Sequence, residues 1–346
     1  MRVAIACAAA SAAVYYIGRM DAPPSTGPQL VGRSQPSMGA EARLTAWTED
    51  GAAARAAFDE VFQELDRLES LMSVWRADSD VVRLNEAAGR APVTISPDVM
   101  EVLRAAREMS DATGGAFDVT FGAFADVWKF DHDQDDRIPS DAQIQARLPL
   151  VNYRDLELDA GKRTAVLRRT GMRVHLGGIG KGYAVDRAAS ILRQRGIRDF
   201  LIQFGGDLYA GGRRGDRPWR AAIQDPRGPV GRTFASLDLS DSSFSTSGDY
   251  ERYFVHDGVR YHHIMDPRTG RPARGARSVT IVARNATTAD ALSTGVFALG
   301  PAAGMELLER LPDVEGVIVT DRNEVLVSSG LKGRLQMTAA PTASDL

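Results

Sequence analysis

The stretch "RVHLGGIGKGYAVDRA", residues 173–188, packs glycines around one lysine and then runs into an amphipathic pattern. Glycine lets a backbone approach a ligand closely, and the free N–H groups at the start of a following helix favour an anion. Lys181 adds a cation at that point. A Walker phosphate loop requires Ser or Thr after its lysine, but Gly182 follows here and the motif's first glycine would fall at His175. A dinucleotide fingerprint requires G-x-G-x-x-G in a βαβ unit, whereas Gly178, Gly180 and Gly182 are spaced G-x-G-x-G beside strands that look like hairpins. On this stretch alone two readings stand: a phosphate cradle of a different kind, or a tight strand-to-helix turn with a solvated lysine.

Two other segments carry chemistry. "TTADALSTG", residues 287–295, puts Asp290 and Thr294 four apart on one helix face, a carboxylate and a hydroxyl that suit magnesium. The same segment also reads as a capping-box variant, in which Thr287 and Asp290 only satisfy the helix start. "YHHIMDPRTGRPA" places His262 and His263 in a strand that ends at a turn. Alternation sends their rings to opposite faces, so one can face a cleft as a general base while the pair cannot share a zinc ion. "GGDLYAGG" adds Asp207 between glycines, either a site residue or part of a turn.

These residues need positioning elements, and the hydrophobic periodicity supplies them. Residues 51–72 read as a helix with Phe58, Val61, Phe62, Leu65, Leu68 and Leu71 on one face. "SPDVMEVLRAAREMSDATGG" reads as a second, with Ser96 as N-cap and Pro97 at its first position. A third spans roughly 181–195, and a fourth begins in "TTADALSTGVFALG". "VWRADSDVVRLNEAAG" reads as a polar turn region, "FDHDQDDRIPSD" as a solvated acidic loop, and "ELDAGKRTAVLRRTGMRVHL" as a hairpin. "DFLIQFGGDLYAGG" reads as one buried strand closing on glycines, and "ERYFVHDGVRYHHIMDP" as a hairpin turning at Asp257-Gly258. Hairpins mixed with helices predict an α+β fold rather than a doubly wound parallel sheet.

The bulk properties fit a soluble globular protein. The 346 residues are 44% apolar and 25% charged, with a formal net charge of −3 from 42 basic and 45 acidic side chains. No long basic block appears, which argues against nucleic acid as a partner. The single cysteine, Cys7, excludes an internal disulfide framework. Arg2 and the apolar run from Val3 to Ile17 read as a signal peptide or short signal anchor, which gives membrane association through the N-terminus; "AIAC" at Cys7 only loosely resembles a lipidation box. The expected organisation is a signal segment over 1–20, a linker over 21–37, one domain over 38–338 and a flexible tail over 339–346.

Taken together the segments resemble the ApbE family, the FAD:protein FMN transferases, over about residues 38–335. The blocks that carry the resemblance are "SMGAEARL", "LMSVWRADSDVVRLN", "GGAFDVTFGAFADVW", "HLGGIGKGYAVDRA", "FGGDLYAGG", "TSGDYERYF", "YHHIMDPRTGRP" and "TADALSTGVFALG". The resemblance implies a single α+β unit with a T-fold-like core. It implies an exported enzyme that cleaves FAD with magnesium, attaches FMN by a phosphoester to Thr or Ser of an exported or membrane electron-transfer protein, and releases AMP. It places flavin contacts at Met38, Trp75, Ala116, Phe117, Asp118, Lys181 and Ile264, and magnesium ligands at Asp290 and Thr294, with Ser293 between them and the Gly178 carbonyl opposite. It makes His263 the base for the accepting hydroxyl, with Lys181 assisting.

Two positions depart from the family pattern. His175 stands where Asp is common, so an acidic contact to FAD or to the magnesium shell is missing or replaced. Trp75 stands where tyrosine is common, which keeps stacking and loses the phenol. Two further readings share these residues: an FAD pyrophosphatase with water as acceptor, and a non-catalytic flavin-binding protein. The acceptor sequence implied is of the type D-x-x-[ST]-G-A-[ST]. "DALSTGV" lacks its register, so the chain is not expected to modify itself.

Overall fold

The computed structural model describes residues 27–344, so the segment read as a signal lies outside the described residues. An eight-stranded sheet organises the chain: β1 (Gln29–Ser37), β2 (Ala40–Thr48), β3 (Phe200–Phe204), β4 (Asp207–Gly211), β5 (Ser242–Gly248), β6 (Ala276–Ala283), β7 (Glu315–Thr320) and β8 (Val325–Val327). Strand order in space follows chain order, and every pair is antiparallel. The sheet is therefore a meander interrupted by insertions. Helices α1 (Gly51–Met72), α2 (Asp80–Glu86), α3 (Pro97–Ala112), α4 (Asp141–Arg147) and α5 (Gly180–Gln194) fall between β2 and β3, and α6 (Ala286–Leu299) and α7 (Pro301–Arg310) between β6 and β7.

Alternation along the strands separates two cores. Phe200, Ile202 and Phe204 of β3 join the helical core with Phe58, Leu65, Leu103 and Leu192, while Leu201 turns to the opposite face. That face packs on a three-stranded sheet built from Trp219–Gln224, Thr233–Leu239 and Gln336–Met337. The helix starts follow from local chemistry. Asp50 accepts the N–H groups of Ala52 and Ala53 ahead of α1, and Ser96 accepts that of Val99 ahead of Pro97 in α3.

Several expectations are corrected. β1 occupies much of the stretch read as a 21–37 linker; its glycine, proline and serines suit the outermost strand of a sheet, where Pro36 forfeits no interior ladder bond. The polar turn region contains α2, capped by Ser79, a helix too short to show periodicity. "DFLIQFGGDLYAGG" is a hairpin, β3 and β4, rather than one strand. Of the hairpin read over 157–176, only the pairing of Leu156–Asp159 with Thr164–Leu167 forms. The stretch read as a flexible tail is tied down through Ala343: Thr342 donates to Asp225, and Arg277 donates to the carbonyls of Thr342 and Ala343.

Candidate active site

The glycine-lysine stretch is the start of α5. No side chain of its own caps that helix. The cap comes from α6 instead: the Gly182 N–H donates to Asp290 Oδ2 at 2.9 Å. A carboxylate at a helix N-terminus is favoured by the helix dipole. The helices meet this closely because Gly182 has no side chain, since a Cβ there would lie 2.3 Å from the Ala286 carbonyl oxygen. The capping-box reading of α6 falls with this geometry. Asn285 accepts the Thr288 N–H, and Asp186 from α5 accepts the Ala286 and Thr287 N–H groups and the Thr287 hydroxyl. Asp290 is therefore not engaged in starting its own helix.

Asp290 is buried, 3% exposed, and burial followed by the negative charge of Asp207 pushes its carboxyl up to about 7. Its Oδ1 accepts no hydrogen bond among the described residues. One turn on, Thr294 Oγ1 lies against Gly178, where a Cβ would come within 3.0 Å of it. Phe117 closes the other side of that glycine. Ser293 turns into a hydroxyl cluster: its Oγ donates to the Asp290 carbonyl at 2.8 Å and lies 2.8 Å from Ser247 Oγ. Of the proposed oxygen donors, Asp290 lies against Gly182 and Thr294, one turn on in α6, against Gly178, so both face the start of α5, while the Ser293 hydroxyl is committed elsewhere. Among the described residues there is no group of three or more His, Cys, Asp or Glu side chains that could hold a metal. One free carboxylate oxygen, one hydroxyl and backbone carbonyls are hard donors of the kind magnesium uses while keeping water and phosphate in its shell, so the residues present fit that ion.

Lys181 projects from the first turn of α5, and its Nζ lies 3.2 Å from Asp207 Oδ2. Burial alone would lower this ammonium, but the carboxylates of Asp207 and Asp290 outweigh it and hold the group charged.

The strand ends at His262 and His263 lies just past it, and the two rings enter different surroundings. His262 is 3% exposed, its Nε2 bonds the Ala273 carbonyl at 2.9 Å, and Nδ1 accepts the Ile264 N–H, so both nitrogens are used in the core. His263 is partly exposed, and its Nδ1 donates to the Arg252 carbonyl at 3.3 Å. That bond fixes the tautomer and leaves Nε2 with a lone pair. Burial, then the Arg252 and His262 charges, push His263 down to about 3, and Lys181 contributes to the same shift.

His175 has a definite task. Its Nδ1 accepts the Gly177 N–H at 3.0 Å while the His175 backbone N–H donates to the Val119 carbonyl. An aspartate carboxylate makes the same bond two residues ahead in an Asx turn. The imidazole therefore does the turn's structural work without a negative charge, and burial lowers its pKa so that it stays neutral.

The remaining expected contacts distribute as follows. Met38 occupies a two-residue turn between β1 and β2 with φ +44°, uncommon for a residue with a side chain, and its Cε lies beside Gly180. Ala116 and Ile264 are buried in one cluster. The Asp118 carboxylate is consumed by Thr120 and Tyr153, so its side chain braces the loop. Trp75 is 58% exposed and meets the His132 ring edge-on at 4.4 Å. Asp186, Ser245, Ser247 and Arg252 escaped the sequence reading; the alternation S-x-S in "SFSTSG" was the available signal for the two serines.

The comparisons agree with this architecture. Residues 38–318 match the model of the ApbE family. A FAD:protein FMN transferase of Klebsiella pneumoniae (strain 342) is 34% identical over 293 residues, covering 84% of this chain and 90% of the relative. The crystal structure of the ApbE protein from Thermotoga maritima superposes with a TM-score of 0.82 at 32% identity, covering 88% of this chain and 99% of that one. The flavin transferase ApbE from Vibrio cholerae superposes with a TM-score of 0.80 at 30% identity, covering 89% and 99%. This chain belongs to the ApbE family.

Proposed function

We infer that the chain is an FAD:protein FMN transferase, moving FMN from FAD to a threonine or serine of a partner protein and releasing AMP. The observation that carries the reading is the meeting of Asp290, Thr294 and Gly178 with Lys181 at the N-terminus of α5. Such a place suits a pyrophosphate, because the positive end of the α5 dipole and the Lys181 ammonium favour negative charge there. Magnesium held by Asp290, Thr294 and the Gly178 carbonyl would supply charge neutralisation to that pyrophosphate. Lys181 would bind its oxygens and stabilise charge that grows during transfer. The accepting hydroxyl oxygen bonds to the phosphorus on the FMN side, the bond from that phosphorus to the AMP oxygen breaks, and AMP leaves. The hydroxyl proton passes to Nε2 of His263, whose Nδ1 is already fixed by Arg252. Negative charge brought by FAD raises the pKa of this imidazole from its low resting position.

The acceptor we propose carries a D-x-x-[ST]-G-A-[ST]-type sequence and belongs to an exported or membrane electron-transfer protein, with this chain exported through its N-terminal segment. No helix among the described residues is long and apolar enough to cross a membrane.

The test is AMP release from FAD by the full chain in the presence of a peptide carrying the acceptor sequence, with and without magnesium. Asp290→Asn is expected to cost about a hundredfold or more in rate. Magnesium affinity of the wild type should rise as the pH climbs through 7, where the raised Asp290 carboxyl gives up its proton. Undiminished, magnesium-independent AMP release by Asp290→Asn would refute the assignment.

A further inference from the structure

Asp207 opens β4 immediately after the Gly205-Gly206 turn, and it is 2% exposed. The turn is bolted to β5: the Thr246 N–H bonds the Gly206 carbonyl, and a Cβ on Gly206 would strike the Thr246 oxygen at 2.6 Å. Gly205, at φ +61°, leaves room for the Lys181 side chain, whose Cε lies 3.7 Å from where a Cβ would stand. Ser245 Oγ donates to Asp207 Oδ1. Asp207 Oδ2 has no aligned hydrogen-bond donor, only the Lys181 ammonium 3.2 Å away. An ionised carboxylate offers about four acceptor sites, so one this deeply buried with so few donors is costly unless its charge has a purpose.

The same serine leads onward. Ser245 Oγ lies 3.4 Å from Ser293 Oγ, Ser293 lies 2.8 Å from Ser247, and Ser247 lies 3.3 Å from Thr294 Oγ1. A chain of hydroxyls, buried at Ser245 and Ser293 and half-buried at Ser247 and Thr294, thus links the lysine's counter-ion to the threonine that faces Gly178. Lysine is a flexible point charge on four methylenes, and without a fixed partner it would be drawn toward Asp290.

We propose that Asp207 is a positioning residue for flavin transfer, acting only through Lys181 and set in register with Thr294 by the Ser245–Ser293–Ser247 hydroxyls. This rests on the flavin-transfer reading. The carboxylate keeps the ammonium aimed at the phosphate place and away from the donors that would hold magnesium.

The experiment uses the full chain with FAD, magnesium and a peptide carrying the acceptor sequence, and a double-mutant cycle. Asp207→Asn keeps shape and removes charge; it should lower the AMP-release rate at saturating FAD by about a hundredfold while FAD affinity, read by quenching of flavin fluorescence, changes by no more than about threefold. Lys181→Met should cost at least as much, and adding Asp207→Asn to it should cost nothing more. Ser245→Ala, which leaves the ion pair in place, should give a smaller loss with the same sign. A second readout needs no flavin: acetylation of Lys181 by an acylating reagent, followed by peptide mass, should be slow in the wild type and about tenfold faster in Asp207→Asn. Additive losses in the cycle, or equal labelling of Lys181, would overturn the role of Asp207. Failure of the wild type to release any AMP would instead strike the flavin reading, and the labelling would still report the pairing.

Discussion

At the scale of single residues, burial decides which groups can carry a proton. His262 is locked by Ala273 and Ile264 and packs edge-on against Phe297, so protonation has no room, and burial pushes it down to about 4 from an ordinary 6.5. The unfolded chain takes up that proton near 6.5 and the folded chain does not, so stability is full above 6.5 and drains as the pH falls toward 4. At pH 5 the loss from this residue is about 2 kcal/mol. Melting curves at pH 7 and pH 5 should show a smaller acid-induced drop for His262→Gln than for the wild type; equal drops would contradict the account. The histidine pair was legible because neighbouring residues of an extended chain send their rings to opposite sides, although the strand itself ends at His262. Asp118 was not, because its partner Tyr153 lies 35 residues away and no local pattern announces that bond.

At the scale of elements, the site depends on how closely α5 and α6 approach. Gly182 and Gly178 differ in what a methyl would meet. At Gly182 it would strike backbone, so Gly182→Ala must part the helices, break the Asp290 cap and cost about 3 kcal/mol or more in stability. At Gly178 the nearest atoms are a threonine hydroxyl at 3.0 Å and a phenyl edge at 3.4 Å, so Gly178→Ala should fold with a Tm within a few degrees of the wild type and lose magnesium-dependent turnover. Thermal melts beside AMP assays check both; the reverse ranking would contradict the geometry. The helices themselves were readable from periodicity, and the Asp257-Gly258 turn from its residue types, which adopt φ +49° and +74°. Of the α6 cap, Asn285 was available as a local N-cap residue, whereas Asp186 was not readable, because it reaches the helix from about 100 residues earlier in the chain.

At the scale of the whole molecule, a meander sheet receives its site from two long insertions and is closed by the chain's last described residues. Arg277, 6% exposed, donates to Asn323 and to the carbonyls of Asp321, Thr342 and Ala343. Deleting residues 338–346 strips two of those acceptors and the Thr342 donors from Asp225, and should cost about 2–4 kcal/mol, read by urea denaturation. An unchanged midpoint would show that the terminal segment only rests on the surface. Composition at both ends misled for one reason: prolines and serines read as linker and tail, while the bonds that order them come from β2, Asp225 and Arg277.

The central claim is transfer of FMN from FAD to another protein. The measurement that tests it most directly is the intact mass of a peptide carrying a D-x-x-[ST]-G-A-[ST] sequence after incubation with the full chain, FAD and magnesium, with AMP followed by chromatography in the same sample. The account predicts a peptide heavier by one phosphoester-linked FMN, with AMP in equal amount. FAD bound intact, with neither AMP nor adduct, would contradict it, and AMP with free FMN but no adduct would make water the acceptor.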